Sequence, residues 1–281
     1  MQTIHTIEAL RTARTRLRGR LALVPTMGAL HDGHLNLVRE AKARAAHVAV
    51  SIFVNPRQFG ANEDLDAYPR QLARDCALLE PIGVDIVWAP SAAEMYPAGY
   101  ATNVSVSGVS EGLCGAERPG HFDGVATVVC KLFNQVRPDL ALFGEKDWQQ
   151  LAVIRRMVRD LDLPFPREIS GSPTVREADG LALSSRNAYL SADDRTRAAI
   201  LPAAMKKAIA EISGGKAVPE ALNRLIAALL SGGFAAVDYA ELRDAETFAP
   251  LTERPTDFAR LLVAARIGGT RLIDNMEAWS G

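Results

Sequence analysis

Short apolar runs alternate with helical patterns along the first two-thirds of the chain, and this alternation predicts a parallel sheet wrapped by helices. Apolar runs of strand length predict strands at 21–24, 48–54, 84–88 and 140–143. Apolar residues at helical spacing predict helices over 34–46, 65–79, 125–136 and 148–161. The first part of the chain is therefore expected to form a Rossmann-like α/β domain.

The pattern changes after about residue 174, where helices are followed by strands. An alanine-rich helical pattern covers 192–212, and a second helix is predicted over 218–230 after Gly214 and Gly215. Strands are predicted over 237–242 and 260–267, and the latter turns at Gly268 and Gly269 into a strand at 271–273. We therefore expect a parallel-sheet domain over residues 1–174 and a smaller α+β domain over residues 175–281.

Composition supports this division and excludes several classes of function. The 281 residues, 48% of them hydrophobic, exceed what one core usually fills. The 32 basic and 33 acidic side chains give a net charge of -1, which excludes a generally basic nucleic-acid binder. No apolar run is long enough for a membrane helix, and the N-terminus does not resemble a signal peptide. Three cysteines without a CxxC motif favour a reduced, cytoplasmic location.

The clearest chemical signal is the strand-to-helix junction at 24–34, VPTMGALHDGH. A helix N-terminus offers unpaired backbone N–H groups to an anion, and Gly28 and Gly33 would let the backbone approach it closely. His31 and His34 are three residues apart, so both can face one ligand and donate hydrogen bonds to phosphate oxygens. Two alternatives remain: half of a metal site with Asp32, or a turn with incidental surface histidines.

Two further polar segments follow predicted strands. In FVNPRQF at 53–59, Asn55 and Gln58 can hydrogen-bond a hydroxyl or a carboxylate, although a simple proline turn is the alternative. In GEKDWQQ at 144–150, Lys146 can neutralise phosphate charge, Asp147 can cap the helix or contact a metal, and Gln150 lies one helical turn further on. An ordinary loop with a capping aspartate is the alternative for this second segment.

A fourth segment, DGLALSSRN at 179–187, places two hydroxyls beside an arginine at the predicted domain boundary. Such a group can clamp an anion, and a polar linker between domains is the alternative. The first three segments follow the carboxyl ends of three predicted strands, where open α/β sheets bind their ligands. Together the four segments predict a nucleotide-phosphate site with a second polar ligand beside it.

Five sequence blocks resemble those of the pantoate–beta-alanine ligase family. PTMGALHDGH resembles that family's form of the His-x-Gly-His signature of the nucleotidyltransferase superfamily. FVNPRQF, GEKDWQQ and LALSSRN resemble three other blocks, and GHFDGVATVV at 120–129 resembles a fifth. The blocks occur in the family's order between residues 24 and 187, and no motif position departs from the pattern.

The resemblance implies ATP-dependent condensation of (R)-pantoate with beta-alanine through a pantoyl adenylate, with release of pyrophosphate and AMP. It implies Mg²⁺, a homodimer and a C-terminal domain that closes over the site. It also implies that His34 is the catalytic proton donor and that His31 and Lys146 assist the chemistry. Gln58 and Gln150 would bind pantoate, with Gln58 also near beta-alanine, and Asn55 would be a further contact or a structural support. The implied ATP contacts are Met27, Gly28, Ala29, Leu30, His31, Asp32, Gly33, His34, Gly144, Glu145, Lys146, Asp147, Val175, Leu183, Ser184, Ser185 and Arg186.

Two other classes stay open at this point. One is another nucleotidyltransferase with the same histidine signature, against which the Gln58 and Gln150 segments argue. The other is a catalytically silent binding protein on the same fold, against which the intact histidines and Lys146 argue. The protein ligands of Mg²⁺ cannot be assigned from the sequence.

Overall fold

The structure is a computed structural model that describes residues 1–60, 65–66 and 68–279. Its internal contacts separate the chain into a larger unit, Met1–Glu145 with Gln149–Pro173, and a smaller unit, Lys146–Trp148 with Thr174–Gly281. The short turn Lys146–Trp148 therefore groups with the C-terminal part of the chain, although it follows a strand of the larger unit. Within the described residues, none of the helices has both the length and the apolar character needed to cross a lipid bilayer.

The larger unit is built on a parallel six-stranded sheet in the order β1-β4-β3-β2-β5-β6. Its strands are β1 (Gln2–Ile4), β2 (Leu21–Thr26), β3 (His47–Ile52), β4 (Ile86–Trp88), β5 (Leu140–Gly144) and β6 (Glu168–Ser172). Its helices are α1 (Ile7–Arg16), α2 (Asp32–Arg44), α3 (Leu72–Leu79), α4 (Ala92–Met95), α5 (Leu113–Glu117), α6 (His121–Val136) and α7 (Trp148–Asp160). The Rossmann-like prediction is confirmed.

The strand order reverses between β2 and β5. The chain runs from β2 outward through β3 and β4, and β5 then pairs with the opposite side of β2. Ligands of open α/β sheets bind beyond the carboxyl ends of the strands at such a reversal. The loop after β2 and the turn after β5, which begin two of the predicted segments, both start at this point.

The smaller unit packs helices against an antiparallel sheet. The helices are α8 (Ala192–Ala198), α9 (Ile200–Ser213) and α10 (Val218–Ser231), and the strands are β7 (Ala236–Asp244), β8 (Ala259–Ile267) and β9 (Thr270–Trp279), in that order in the sheet. Met205, Leu229 and Val263 are fully buried members of its core. This confirms the predicted α+β fold of the C-terminal part.

Two predicted helices differ from the structure, and proline explains both differences. The helix predicted over 65–79 begins only at Leu72, because Pro69 lacks a backbone N–H and disfavours helical geometry in the residue before it. Residue 67 of that prediction lies outside the described residues. The helix predicted over 192–212 is divided into α8 and α9, because Pro202 is tolerated only in the first turn of a new helix.

Several elements were not predicted from the pattern, among them β1, β6, α1 and the short helices α4 and α5. β1 has three residues, and β6 has the sequence EISGS, so neither contains an apolar run of strand length. α1 buries only Leu10 and Ala13, which gives a weak helical pattern. β2 also continues through Pro25, which is possible because β2 pairs with β5 only at Ala22 and Leu23.

Candidate active site

The two histidines of the first segment lie together at the start of α2. Their ring centroids are 4.1 Å apart, and both side chains are partly exposed. The His31 side chain caps the helix by accepting the backbone N–H of Gly33 at Nδ1, over 3.1 Å. His34 accepts the backbone N–H of His31 at its own Nδ1, over 3.4 Å. The structure therefore brings the two predicted histidines into one pair.

These caps fix the tautomer of both rings. A backbone N–H can only donate, so each Nδ1 must carry a lone pair and not a proton. In a neutral imidazole the proton then sits on Nε2, which becomes a hydrogen-bond donor. In the neutral form His31 and His34 therefore present Nε2–H groups, which can stabilise negative charge by donating hydrogen bonds.

The loop before α2 is held by a buried aspartate that the sequence analysis did not single out. Asp75 on α3 is 1% exposed, and its two carboxylate oxygens accept the backbone N–H groups of Ala29 at 3.0 Å and Leu30 at 2.9 Å. Gly28 has φ +88°, and a Cβ there would lie 3.0 Å from an Asp75 oxygen. Gly28 is thus required both for the turn and for the close approach of Asp75.

The predicted role of the loop backbone is corrected by these contacts. The sequence analysis expected free N–H groups at the helix start to bind the anion. The N–H groups of Ala29 and Leu30 instead bond to Asp75, and those of His31 and Gly33 bond to the histidine side chains. Gly33 is a helical residue whose N–H serves the cap. These four backbone groups are therefore engaged within the protein, and the histidine side chains are the donors that the loop could offer to an anion.

Asn55 is fully engaged within the protein. It is 1% exposed; its Oδ1 accepts from the Arg57 N–H at 3.2 Å and the Tyr96 hydroxyl at 2.8 Å. Its Nδ2 donates to the Gly124 carbonyl and to Gln58 Oε1, each over 3.0 Å. Both donors and both acceptor positions of the amide are therefore occupied. This geometry favours a structural support over a substrate contact for Asn55.

The Asn55 contacts also fix which end of the Gln58 amide faces outward. The Arg57 N–H and the Gly124 carbonyl have only one possible role each, so the orientation of the Asn55 amide is determined. Gln58 must then offer its oxygen to Asn55, and its Nε2 lies 3.0 Å from the Met27 sulfur. The amide group of Gln58 that does not face Asn55 is therefore its N–H donor, in a side chain that is 8% exposed.

The phenol that supports Asn55 is held in its protonated form. Burial, together with the neighbouring Tyr100, raises the pKa of the Tyr96 hydroxyl above its usual range, despite the opposing charge of Arg57. A protonated hydroxyl can donate to Asn55 Oδ1. Tyr96 thereby supports the orientation of the Gln58 amide through Asn55.

The two adjacent glutamines at the start of α7 have different roles. Gln149 is 5% exposed and donates to the carbonyls of Val109, Glu111 and Gly112, while its oxygen accepts the Cys114 N–H. Gln150 is partly exposed, and within the described residues its amide has no hydrogen-bond partner. Gln149 therefore anchors the loop before α5, and Gln150 keeps its amide available for a ligand.

The turn that contains Lys146, residues Lys146–Trp148, belongs to the smaller unit. Glu145–Asp147 form a short 3-10 turn before α7, so Asp147 precedes the helix. The Lys146 carbonyl accepts from Asn275 Nδ2 over 2.8 Å. The Lys146 ammonium has no ion-pair or hydrogen-bond partner in the part of the chain that the structure describes. It is therefore available to neutralise an anionic ligand.

The fourth segment follows a hairpin of the smaller unit. Leu183 donates its backbone N–H to the Val175 carbonyl over 3.0 Å, which places these two predicted ATP contacts side by side. The Ser184 side chain caps the 3-10 turn Ser185–Tyr189 by accepting the Arg186 N–H over 3.3 Å. The segment therefore forms a hydrogen-bonded turn and not an extended linker.

No group of three or more His, Cys, Asp or Glu side chains that could hold a metal ion occurs among residues 1–60, 65–66 and 68–279. The alternative of a metal site at His31 and His34 therefore finds no third ligand in the described chain. Cys76, Cys114 and Cys130 are not joined in disulfides within the described chain.

Comparison with known proteins gives matches along almost the whole chain. A sequence model described as pantoate-beta-alanine ligase matches residues 2–277. A pantothenate synthetase of Novosphingobium aromaticivorans is 66% identical over 281 residues, 98% of each protein. The crystal structure of pantothenate synthetase from Thermus thermophilus matches with a TM-score of 0.93 and 49% identity, over 99% of this chain and 100% of that chain. A Francisella tularensis pantoate-beta-alanine ligase, complexed with beta-gamma ATP and beta-alanine, matches with a TM-score of 0.82 and 34% identity, over 100% and 99%.

Proposed function

We propose that this chain, which belongs to the pantoate–beta-alanine ligase family, condenses (R)-pantoate with beta-alanine at the expense of ATP. The observation that carries the proposal is the His31–His34 pair at the sheet's reversal point, within a chain that matches the family over residues 2–277. The match to one ligase family over nearly the whole chain argues against another type of nucleotidyltransferase. The intact histidines and the available Lys146 ammonium argue against a silent binding protein.

The first step that we propose is adenylation. A pantoate carboxylate oxygen attacks the α-phosphorus of ATP, the bond to the β-phosphate oxygen breaks, and pyrophosphate leaves. Both reactants are anionic, so donors must be fixed where charge develops. The Nε2–H groups of His31 and His34 and the Lys146 ammonium supply such donors. Ser184, Ser185 and Arg186 are proposed to hold the phosphates through their hydroxyl and guanidinium groups.

The second step transfers the acyl group. The beta-alanine nitrogen attacks the acyl carbon of pantoyl adenylate, AMP leaves with the bonding electrons, and the nitrogen loses its proton. Adenylation makes this possible because it converts a poor leaving group into a good one. No protein nucleophile is needed, and the three cysteines lie outside the nucleotide motifs.

Mg²⁺ is proposed to enter as a complex with the phosphates of ATP. This ion usually keeps several waters and takes only one or two protein carboxylates beside substrate phosphates. When bound, the ion would add positive charge at the pyrophosphate leaving group.

The order of the two steps gives a direct test. With ATP, Mg²⁺ and pantoate alone, we expect labelled pyrophosphate to exchange into ATP, because the adenylate forms before the amine is needed. Mass analysis after addition of beta-alanine should find pantothenate and AMP. Exchange that strictly required beta-alanine would contradict the adenylate mechanism, and a product with an intact nucleotide linkage would contradict the ligase itself.

We also propose that Gln58 and Gln150 bind pantoate. The substitution Gln58→Glu tests this directly, because it replaces the amide donor with a carboxylate oxygen. In Gln58→Glu an oxygen can still accept from Asn55, but the outward group becomes a carboxylate oxygen that repels an anionic acid. Pantoate affinity should fall by roughly 10- to 100-fold, the scale of a lost hydrogen bond to a charged group, while ATP affinity is nearly kept. Gln58→Ala and Gln150→Ala should weaken pantoate binding in the same direction.

The neighbouring Gln149 supplies the matched control for this experiment. Gln149→Ala removes internal bonds to a loop, so it should lower the melting temperature more than Gln150→Ala does. Binding of ATP and pantoate and the melting temperature are measured on all four variants. Unchanged pantoate affinity in the Gln58 and Gln150 variants would remove these residues from the site.

Three further properties are proposed on the family resemblance and the composition. They are a homodimeric assembly, a cytoplasmic location, and closure of residues 175–281 over the bound nucleotide. The three cysteines without a CxxC motif favour a reducing compartment.

A further inference from the structure

We propose that Asn275 is a positioning residue for Lys146 and thereby acts on adenylate formation without touching ATP. The inference rests on the proposed role of Lys146 at the phosphates. Asn275 lies on β9, more than a hundred residues after the turn that it contacts, and it belongs to none of the sequence blocks that resemble the family.

The contact itself is a buried hydrogen bond to the backbone of the lysine. Asn275 is 3% exposed, and its Nδ2 donates to the Lys146 carbonyl over 2.8 Å. Its Oδ1 accepts from the guanidinium of Arg260 on β8. Because both ends of the amide are engaged, its orientation is fixed, and the Lys146 backbone is held at one point of the antiparallel sheet.

The same sheet holds the turn at a second point. The Arg260 guanidinium carbon lies 3.6 Å from the centre of the Trp148 ring, and Trp148 Nε1 donates to the Ala245 carbonyl over 3.2 Å. Arg260 therefore contacts both Asn275 and Trp148. The turn is thus held at the Lys146 carbonyl and at the Trp148 side chain, which limits where the Lys146 ammonium can go.

The strand around Asn275 is itself held by a buried ion pair. Asp274, with a fully buried side chain, binds Arg176 through two bonds of 2.7 and 2.8 Å, and Arg176 also donates to the Asn275 carbonyl over 3.2 Å. Arg176 also donates to the Gly180 carbonyl over 3.0 Å, in the hairpin that leads to Ser184. Asn275 is thus linked through its side chain to the Lys146 turn and through its carbonyl and Arg176 to the hairpin that precedes Ser184.

Asp274 and Asn275 are two adjacent polar residues buried within β9, and apolar packing does not account for them. Leu272 is buried on the same strand, and burying an amide is unfavourable unless its bonds are satisfied. The donor of Asn275 is used to hold the residue whose side chain carries the charge. Displacing a charge-stabilising group by about 1 Å can cost on the order of 100-fold in rate.

The test is a double-variant cycle on pyrophosphate exchange with ATP, Mg²⁺ and pantoate. Asn275→Ala should lower kcat for exchange by roughly 10- to 100-fold with a smaller change in the KM for ATP. In the Lys146→Ala background the same substitution should cost less than about twofold, because the group that it positions is gone. Ile212→Val is the control: it loosens the buried core of the same unit, where Ile212 is 2% exposed, and should lower the melting temperature without this kinetic pattern.

A second variant covers the case in which Asn275→Ala does not fold. Asn275→Asp keeps an acceptor for Arg260, replaces the donor to the Lys146 carbonyl with an oxygen and adds one negative charge, and it should show the same non-additivity with Lys146→Ala. Parental kcat in folded Asn275 variants, or losses that multiply with that of Lys146→Ala, would overturn the positioning role. Parental exchange in Lys146→Ala itself would instead refute the proposed role of the lysine, so the two failures are distinguishable.

Discussion

Replacing Lys146 with alanine is expected to lower the rate of adenylate formation by roughly 100-fold or more, the scale seen when one preorganised charge-stabilising group is lost. The ammonium has no partner among the described residues, so its charge is available to the phosphates. The amine step on preformed pantoyl adenylate should suffer less, because less charge develops on the phosphates there. Single-turnover measurement of the two half-reactions separates the effects.

The matched control for this variant is Lys207→Ala. Lys207 is exposed on α9, so its loss changes the total charge by the same amount without removing a group from the proposed site. Both half-reactions should keep parental rates in this control. An equal loss in both half-reactions of Lys146→Ala would count against the assignment of the lysine to adenylation.

The larger unit was predictable because its strands are apolar on both faces. Residues 21–24 and 48–50 are completely buried, so their uninterrupted apolar runs indicated a parallel sheet before any contact was known. The C-terminal α+β part was recognisable for a related reason, namely the change in the order of elements. Errors arose at Pro69 and Pro202, where apolar spacing continued across a residue that cannot continue a helix.

The support around the site was not predictable from local patterns. Asp75 holds Ala29 and Leu30 from a helix more than forty residues away, and a single acidic residue among apolar ones resembles any helix side chain. Lys146, which groups with the smaller unit, is likewise held by Asn275, a residue remote in sequence. Sequence blocks identify the groups that can meet a ligand, whereas the groups that hold them are found only through tertiary contacts.

The donor role of Gln58 shows the same limit at the level of one amide. An isolated glutamine both donates and accepts, and nothing in FVNPRQF selects one role. The donor role of Gln58 is selected by the Gly124 carbonyl and the Tyr96 hydroxyl, which lie in two other parts of the chain. They fix the orientation of the Asn55 amide, and Asn55 in turn orients the Gln58 amide. The chemistry that the site offers pantoate is therefore a property of the fold as much as of the motif.

His34 is expected to be the most sensitive single position, with a loss of roughly 100- to 10,000-fold if it acts as a general acid. Alanine would remove the observed cap and the proposed donor together, since Nδ1 caps the loop at His31 and Nε2 would carry the donor proton. A pair of amide substitutions separates these roles. The asparagine oxygen can reach the position of Nδ1, and the glutamine amide can reach the position of Nε2.

His34→Asn should therefore keep the cap and the melting temperature but lose the full catalytic effect. His34→Gln places an N–H donor near the phosphates that can form a hydrogen bond but cannot release a proton. Pyrophosphate exchange that recovers in the glutamine variant would assign His34 to charge stabilisation through a hydrogen bond. Exchange as low as in the asparagine variant would assign it to proton transfer, the role that the family resemblance implies. Near-parental exchange in His34→Asn would contradict both assignments, because only the capping role would then remain.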